Sequence, residues 1–430
     1  MKFTAAGDAI IQRRMQQDFV GISEIAPFIM QGDARFFNLE TTLNREGECF
    51  ASQFSGGTWI RTNPQCLSDS VAFGFNMTNV NNNHALDFSY EGFYRTMEAV
   101  NESGMVHAGV GYNLDEASVP RYLDTKNGRV ALISVCSTFE PCMMAGKQAR
   151  RVKGRPGVNG LRLRRVVHVE EQDIAMIREL AKKCRVNAEI EIDRAAGYFP
   201  PLPENEAEFG SMRFAVGEPG LHLFVYEEDL DRVKKAIYEA KLQADYIMIS
   251  LHSHEIDGAN HEEIPAFLRE FAHDCIDAGA HTVVGHGPHL LRPIEVYRDR
   301  PIFYSLGDFI LQLYNVELAP EDFYNSWGLT SDATVHELLK TRSADFTRGL
   351  MEKRCMALTV VPYWETDADG KLIKLQLLPI ELDMTGHHAD RGLPRKATDL
   401  AWFKDYFGNM CAPYDIRFTI REDDVIDCAW

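Results

Sequence analysis

Short apolar runs of β character alternate with amphipathic helical stretches along most of this chain, and five of those runs stop at a residue able to bind a metal or move a proton. Lys2–Ala6 leads to Asp8, and Arg35–Leu39 to Glu40. Phe73–Val80 leads to Asn81-Asn82-Asn83-His84, Tyr246–Leu251 to His252, and Thr282–Val284 to Gly285-His286-Gly287-Pro288-His289. Two further strand-like runs are Val130–Val135 and Ile302–Leu306, and the helical pattern falls on Tyr90–Ser103, Glu170–Lys183, Glu228–Leu242 and Glu262–Ala278. In the third of these helices Leu230, Val233, Ile237 and Ala240 make one apolar stripe, and Asp229 reads as its N-cap. This alternation predicts an α/β fold rather than a helical bundle or a sandwich of hairpins. The carboxyl ends of strands in a mostly parallel sheet share one edge, so the five terminating groups are expected to meet in a single crevice.

With 430 residues, 45% of them apolar, the chain can bury a large core as two or three domains or as one α/β unit with insertions. Its formal charge of −18 argues against a nucleic-acid partner, because phosphate contacts need clustered cations. One segment departs from that acidity: Lys147–Arg165 holds eight basic residues and no acidic one, and an irregular Pro- and Gly-rich stretch follows at Ala195–Gly220. We expect an insertion over 140–220 that supplies a lid or substrate loops to a catalytic unit at 1–350. Beyond it, the runs Met356–Tyr363 and Leu372–Leu382, joined through Asp367-Ala368-Asp369-Gly370, predict a hairpin, so 351–430 should add strands and a tail to the same body.

Nine scattered cysteines, odd in number and never in a C-x-x-C pair, suit a reducing compartment. Lys2 and Asp8 leave no room between them for a signal-peptide core, and no apolar stretch is long enough to span a bilayer, so a cytoplasmic location without membrane attachment is expected. A homo-oligomer is compatible with the sequence, which does not specify one.

Imidazoles mixed with carboxylates favour a divalent transition metal (Mn, Zn or Fe), as one or two ions, able to activate water and clamp an oxyanion. The ordered set Gly7-Asp8, Asn38-Leu39-Glu40, Asn82-Asn83-His84 with Asp87, His252 with Glu255, Gly285-His286-x-x-His289, Glu295 and Tyr304-Ser305-Leu306-Gly307-Asp308-Phe309 resembles the CapA family of poly-γ-glutamate capsule biosynthesis proteins. That family is similar in fold to the calcineurin-like metallophosphoesterases. The resemblance implies a four-layer α/β/β/α sandwich of two mixed sheets. It implies Asp8, Glu40, Asn83, His252, His286 and His289 as metal ligands, with Glu40 in the bridging position. It implies His84 as general acid or charge stabiliser oriented by Asp87, and Glu255 and Glu295 as groups orienting the ligand histidines.

The chain departs from that pattern at several places. Asp8 is followed by Ala9-Ile10 where the superfamily has Asp-x-His, so one imidazole is missing. The His-Trp-Gly-x-Glu of the family is His252-Ser253-His254-Glu255, and Gly-Asn-Phe is Gly307-Asp308-Phe309. His254 either replaces the missing ligand or lines the pocket; we place it with Arg155, Asn159 and Arg162 as substrate-binding. The expected function is a metal-dependent hydrolase, of phosphoesterase or amidohydrolase type, in which metal-activated water attacks a phosphoester or amide bond of an anionic small molecule or γ-glutamyl substrate. The alternative is a non-catalytic component of poly-γ-glutamate synthesis or export that binds the polyanion. Phe323, Tyr324 and Trp327 are read either as a cover over the site or as a satellite apolar cluster.

Overall fold

Phe36 and Phe37 are neighbours on one strand and both fully buried, yet they sit in different cores. Successive strand side chains point to opposite faces, so a sheet covered on both sides is apolar at every position. The same division separates Leu132 from Ile133, Met248 from Ile249, and Leu377 from Leu378. In the computed structural model, which describes residues 1–16, 18–258, 260–349 and 353–430, this pattern resolves into two mixed sheets packed face to face.

The first sheet runs in the order Arg417–Ile420, Ile426–Ala429, Leu372–Leu382, Leu358–Thr366, Lys2–Ile10, Ala34–Leu39, Met77–Asn79, Val106–Ala108. The last four are mutually parallel, while Leu358–Thr366 joins Lys2–Ile10 antiparallel and forms the expected hairpin with Leu372–Leu382. The second sheet runs Leu291–Tyr297, Arg300–Leu306, Thr282–His286, Tyr246–His252, Gly128–Cys136, Arg121–Thr125, with its central four strands parallel. Phe3, Phe36, Leu132, Met248, Phe303 and Trp364 fill the space between the sheets. Helices Val20–Ile29 and Ser89–Ser103 cover the outer face of the first sheet, and Glu227–Lys241 and Ala266–Ala278 that of the second. The result is a four-layer α/β/β/α sandwich of two mixed sheets. Each large apolar side chain buried in these layers contributes about 1.5–3 kcal/mol.

Leu163–Val169, Glu206–Phe209, Met212–Val216 and Gly220–Val225 form a separate four-stranded sheet inside the basic and irregular segment. Three local expectations need correction. Phe73–Val80 is not one strand: Phe73 ends the helix Leu67–Ala72, Gly74 takes a left-handed φ of +94°, and only Met77–Asn79 pairs. The helix expected from Glu262 starts at Ala266, because Pro265 disfavours helical backbone in the residue before it. Asp229 does not cap its helix; it lies buried in the first turn and grips Arg162 and Arg232. Among the described residues no helix is long and apolar enough to cross a membrane.

Candidate metal centre

The terminating groups meet, but from two sheets rather than along one edge: Asp8, Glu40 and Asn83 come from the first sheet and its turns, His252 and His286 from the second. Glu40 directly follows Ala34–Leu39, and the Asn81–His84 turn follows Met77–Asn79 by two residues. His252 and His286 end adjacent strands as direct register partners. Asp8 lies inside its strand, at a register shift between Asp8 and Ala9 that lets Asp308–Leu311 pair beside it, with Asp8 opposite Asp308. Gly7 makes this possible, since any Cβ there would run into the carbonyl of Gly307, which accepts the Asp8 amide at 3.0 Å. Gly287 has φ +118° and sits against Ser253, and its amide donates to Asp8 Oδ2 at 2.8 Å.

The donor atoms converge in three overlapping groups: Asp8, His252 and His286; Glu40, His254 and His289; and Asp8, Glu40, His289 and Asp308. In each group the ligand atoms lie within 4.8 Å of one another. Both carboxylate oxygens of Glu40 are buried without a hydrogen-bond partner, although His84, His252, His254 and His289 each present Nε2 at 3.7–3.9 Å from Oε1. Asp308 Oδ2 is likewise unpartnered. His252 is pinched on both ring nitrogens, with His286 Nδ1 3.0 Å from its Nδ1, and His254 Nε2 at 2.9 Å and Asn83 Oδ1 at 2.8 Å from its Nε2. A neutral imidazole has one donor nitrogen, so these approaches cannot all be satisfied by protons that the ring carries. A cation among the lone pairs satisfies them, and the residues fit a divalent ion on this count.

The electrostatics agree with the geometry. Burial first, then Asp308, pushes the Asp8 carboxyl up to about 7, and burial with Asp8 and Asp308 holds Glu40 well above the carboxylate range. Burial and the neighbouring imidazoles keep His252 and His254 well below the ordinary histidine value, and burial alone takes His286 down to about 3. These rings are neutral, the form that ligates metal. His289 moves the other way: burial would lower it, but Asp308, 2.8 Å from its Nδ1, and Asp8 raise it to about 8.

His84 stands beside this cluster. Its Nδ1 is 2.6 Å from Asp87 Oδ2, and Asp87 is fixed by the amides of Gly56 and Ile60. His84 Nε2 is thereby directed toward Glu40. His254, expected in the substrate pocket, is placed instead among the candidate ligands, and with its side chain 25% exposed it is the most open imidazole of the set.

Four other expected site residues have partners outside the cluster. The Glu255 carboxylate is taken by the hydroxyls of Ser137, Thr138 and Ser253, so it holds the His254 backbone through Thr138 rather than orienting a ligand ring. Glu295 pairs with His273 at 3.1 Å and Tyr304 at 2.6 Å, away from the ligands. Arg162 is neutralised by Asp229 and Glu228, and Asn159 is buried between the Ser134 carbonyl and Arg232. Arg155 remains exposed, its Nε donating to the Met144 carbonyl.

Two participants were absent from the expected ligand set. Asp308 follows Gly307 at the end of Arg300–Leu306, so the strand-end rule applied to the other residues would have found it. Asn38 donates Nδ2 to Asp8 Oδ1 at 2.6 Å while its Oδ1 accepts from Asn79 and Asn82, which fixes the amide orientation and aims Asp8 inward. No periodicity marks Asn38, because it looks like any buried strand position.

The family model for "Bacterial capsule synthesis protein PGA_cap" matches residues 2–313. The chain is 32% identical over 97% of its length to "Uncharacterized protein y4sH" of Sinorhizobium fredii, of which 91% is covered. It is 25% identical over 92% of its length to a "Probable polyglutamine synthesis accessory protein" of Mycobacterium tuberculosis, covering 77% of that protein. It is 25% identical over 58% of its length to "PGA biosynthesis protein CapA" of Bacillus subtilis, covering 46% of it. With a match across 2–313 that holds every residue of the metal centre, the chain belongs to the bacterial capsule synthesis PGA_cap family.

Proposed function

We propose that the chain is a metal-dependent hydrolase acting on a phosphoester or amide bond of an anionic substrate. The observation that carries this reading is Glu40: a fully buried carboxylate with no hydrogen-bond partner, ringed by four imidazole nitrogens. Burying an uncompensated carboxylate costs several kcal/mol, and a structural acid in this position would have found donors. Asp8, Glu40, Asn83, His252, His254, His286, His289 and Asp308 would hold one or two divalent transition-metal ions. Such an ion supplies Lewis acidity and lowers the pKa of water at neutral pH.

The chain's own groups supply the rest. Asp87 fixes the His84 ring so that Nε2 faces the centre, where it can give a proton to a leaving group or stabilise charge on the reacting oxygen. Asn38 and the Gly287 amide hold both oxygens of Asp8, and Ser250 Oγ, 2.8 Å from His286 Nε2, directs His286 Nδ1 inward. The test is metal analysis of reconstituted protein, followed by assays on a phosphodiester and on γ-glutamyl amides. Near-stoichiometric metal with turnover lost in His286→Ala supports the proposal. Less than about 0.2 equivalents of any transition metal, with His286→Ala equal to wild type, overturns it.

One observation favours a second reading, an accessory that binds a polyanion without turnover. Lys147, Arg150, Arg151 and Lys153 are exposed on one loop, and none has a carboxylate within 4.0 Å among the described residues. Retention on immobilised poly-γ-glutamate that moderate salt abolishes, in protein without turnover, would favour this reading.

A further inference from the structure

The part of the chain beyond residue 313 lies outside the family match, and it builds a cavity that Thr58, on a loop of the matched part, also lines. Helices Glu321–Ser326 and Val335–Arg342 lie over the loop of Ser55 to Ile60, where Phe323, Tyr324 and Leu338 pack with Trp59 and Phe88. That loop touches the centre directly: Gly56 sits against Asn83 Nδ2 and His84 Nε2 so closely that a Cβ there would be 2.6 Å from each. One residue on, a Cβ at Gly57 would lie 3.9 Å from Arg342 Nη2, and at the next residue Thr58 Oγ1 accepts a hydrogen bond from Arg342 Nη1. The Arg342 guanidinium therefore reaches the same short loop that contacts His84.

Arg342 and Arg348 line a cavity of about 250 Å³ whose other walls include Leu313, Tyr314, Leu339 and Phe346. Among the described residues neither arginine has a carboxylate within 4.0 Å; the acids of this segment are engaged elsewhere, Asp345 with Lys340 and Glu337 with Thr334. Arg342 stacks over Phe323 at 5.5 Å, and a third guanidinium, Arg391, lies over the Tyr314 ring at 5.4 Å. Two guanidiniums on apolar walls, with no carboxylate within 4.0 Å among the described residues, form a receptor for an oxyanion carried on a short apolar chain.

We propose that this cavity is the substrate-tail subsite, in which Arg342 and Arg348 hold a carboxylate or phosphate while the scissile bond lies at His84. The assignment of a substrate rests on the hydrolase reading, but anion binding does not, so it is measured on metal-free protein. Glutarate is followed by saturation-transfer NMR and inorganic phosphate by ³¹P line width, against wild type, Arg342→Gln and Ser343→Asp. Ser343→Asp keeps the arginine and places a competing carboxylate in the cavity wall. The expected result is saturable binding of at least one anion, weakened at least about tenfold in both variants, as loss of a charge-assisted pair predicts. The tighter of the two anions identifies the tail as carboxylate or phosphate. No saturable binding of either anion to folded wild type, or a Ser343→Asp protein that binds as wild type does, overturns the proposal. Intact anion binding in a protein without metal or turnover leaves the subsite standing and removes the hydrolase reading alone.

Discussion

Glu40→Gln is expected to have opposite effects on stability with and without metal. In metal-free protein the Glu40 carboxyl is raised well above its ordinary range by burial and by Asp8 and Asp308, so the folded state retains a proton that the unfolded state gives up. Its contribution to stability is therefore full below the unfolded value of about 4.3 and is lost as pH rises toward the folded one. Through that window wild type loses about 1.4 kcal/mol per pH unit from this group, and a neutral carboxamide of the same shape loses none. Relative to wild type, the Gln variant should therefore gain stability steadily in EDTA as pH rises above the unfolded value, with the sign set by the raised Glu40 carboxyl. With metal at a hundredfold over its dissociation constant, wild type gains about 2.7 kcal/mol, and the variant, lacking a charged donor shared by two of the three ligand groups, gains less. Denaturant unfolding at pH 5, 6 and 7, in EDTA and in Mn²⁺, measures all of this. If the variant parallels wild type across pH in EDTA, or Mn²⁺ stabilises both equally, Glu40 is not the uncompensated acid of a metal centre.

Loading metal at pH 7 should expel more than one proton per chain, since Asp8, at about 7, is half protonated and His289, at about 8, almost fully so; calorimetry in two buffers of different ionisation enthalpy counts them, and a count of zero contradicts the assigned charges. His84→Ala should lower turnover by about 10²–10⁴-fold with metal content unchanged, whereas loss of metal along with activity would make His84 a ligand. Gly287→Ala forces a Cβ against the Ser253 backbone at φ +118°, costs about 1–3 kcal/mol in unfolding experiments and lowers metal occupancy by displacing the amide that holds Asp8; unchanged metal affinity would show that Asp8 is held by other groups.

What could be read in advance depended on how local the physics was. The hairpin around Asp367–Gly370 and the strand ends at Glu40, His252 and His286 follow from apolar runs and turn chemistry within a few residues. The partners of Glu255, Glu295, Asn159 and Arg162 were not legible, because a polar residue near a motif looks the same whether it faces the centre or finds another partner. Their partners (Ser137 and Thr138, His273 and Tyr304, Ser134 and Arg232, Asp229) sit on other strands, helices and loops, from nine to more than a hundred positions away. The two readings of His254 stayed open for a related reason: a side chain two residues past a strand end can turn either way, and the loop's bond to Thr138 decides the direction.

The sequence alone determined the α/β class, the grouping of donors at or near strand ends and the chemistry of those donors, because strand periodicity and ligand type are properties of the residues themselves. Only the tertiary structure decided which atoms face one another. The bulge at Asp8 and the Gly7–Gly307 contact set Asp8 opposite Asp308, and the amide relay through Asn38 aims it. Packing of the segment beyond 313 on Trp59 sets Arg342 beside the loop that touches His84. These relations join residues up to about 300 positions apart, and only a folded chain with its backbone donors already paired makes that choice.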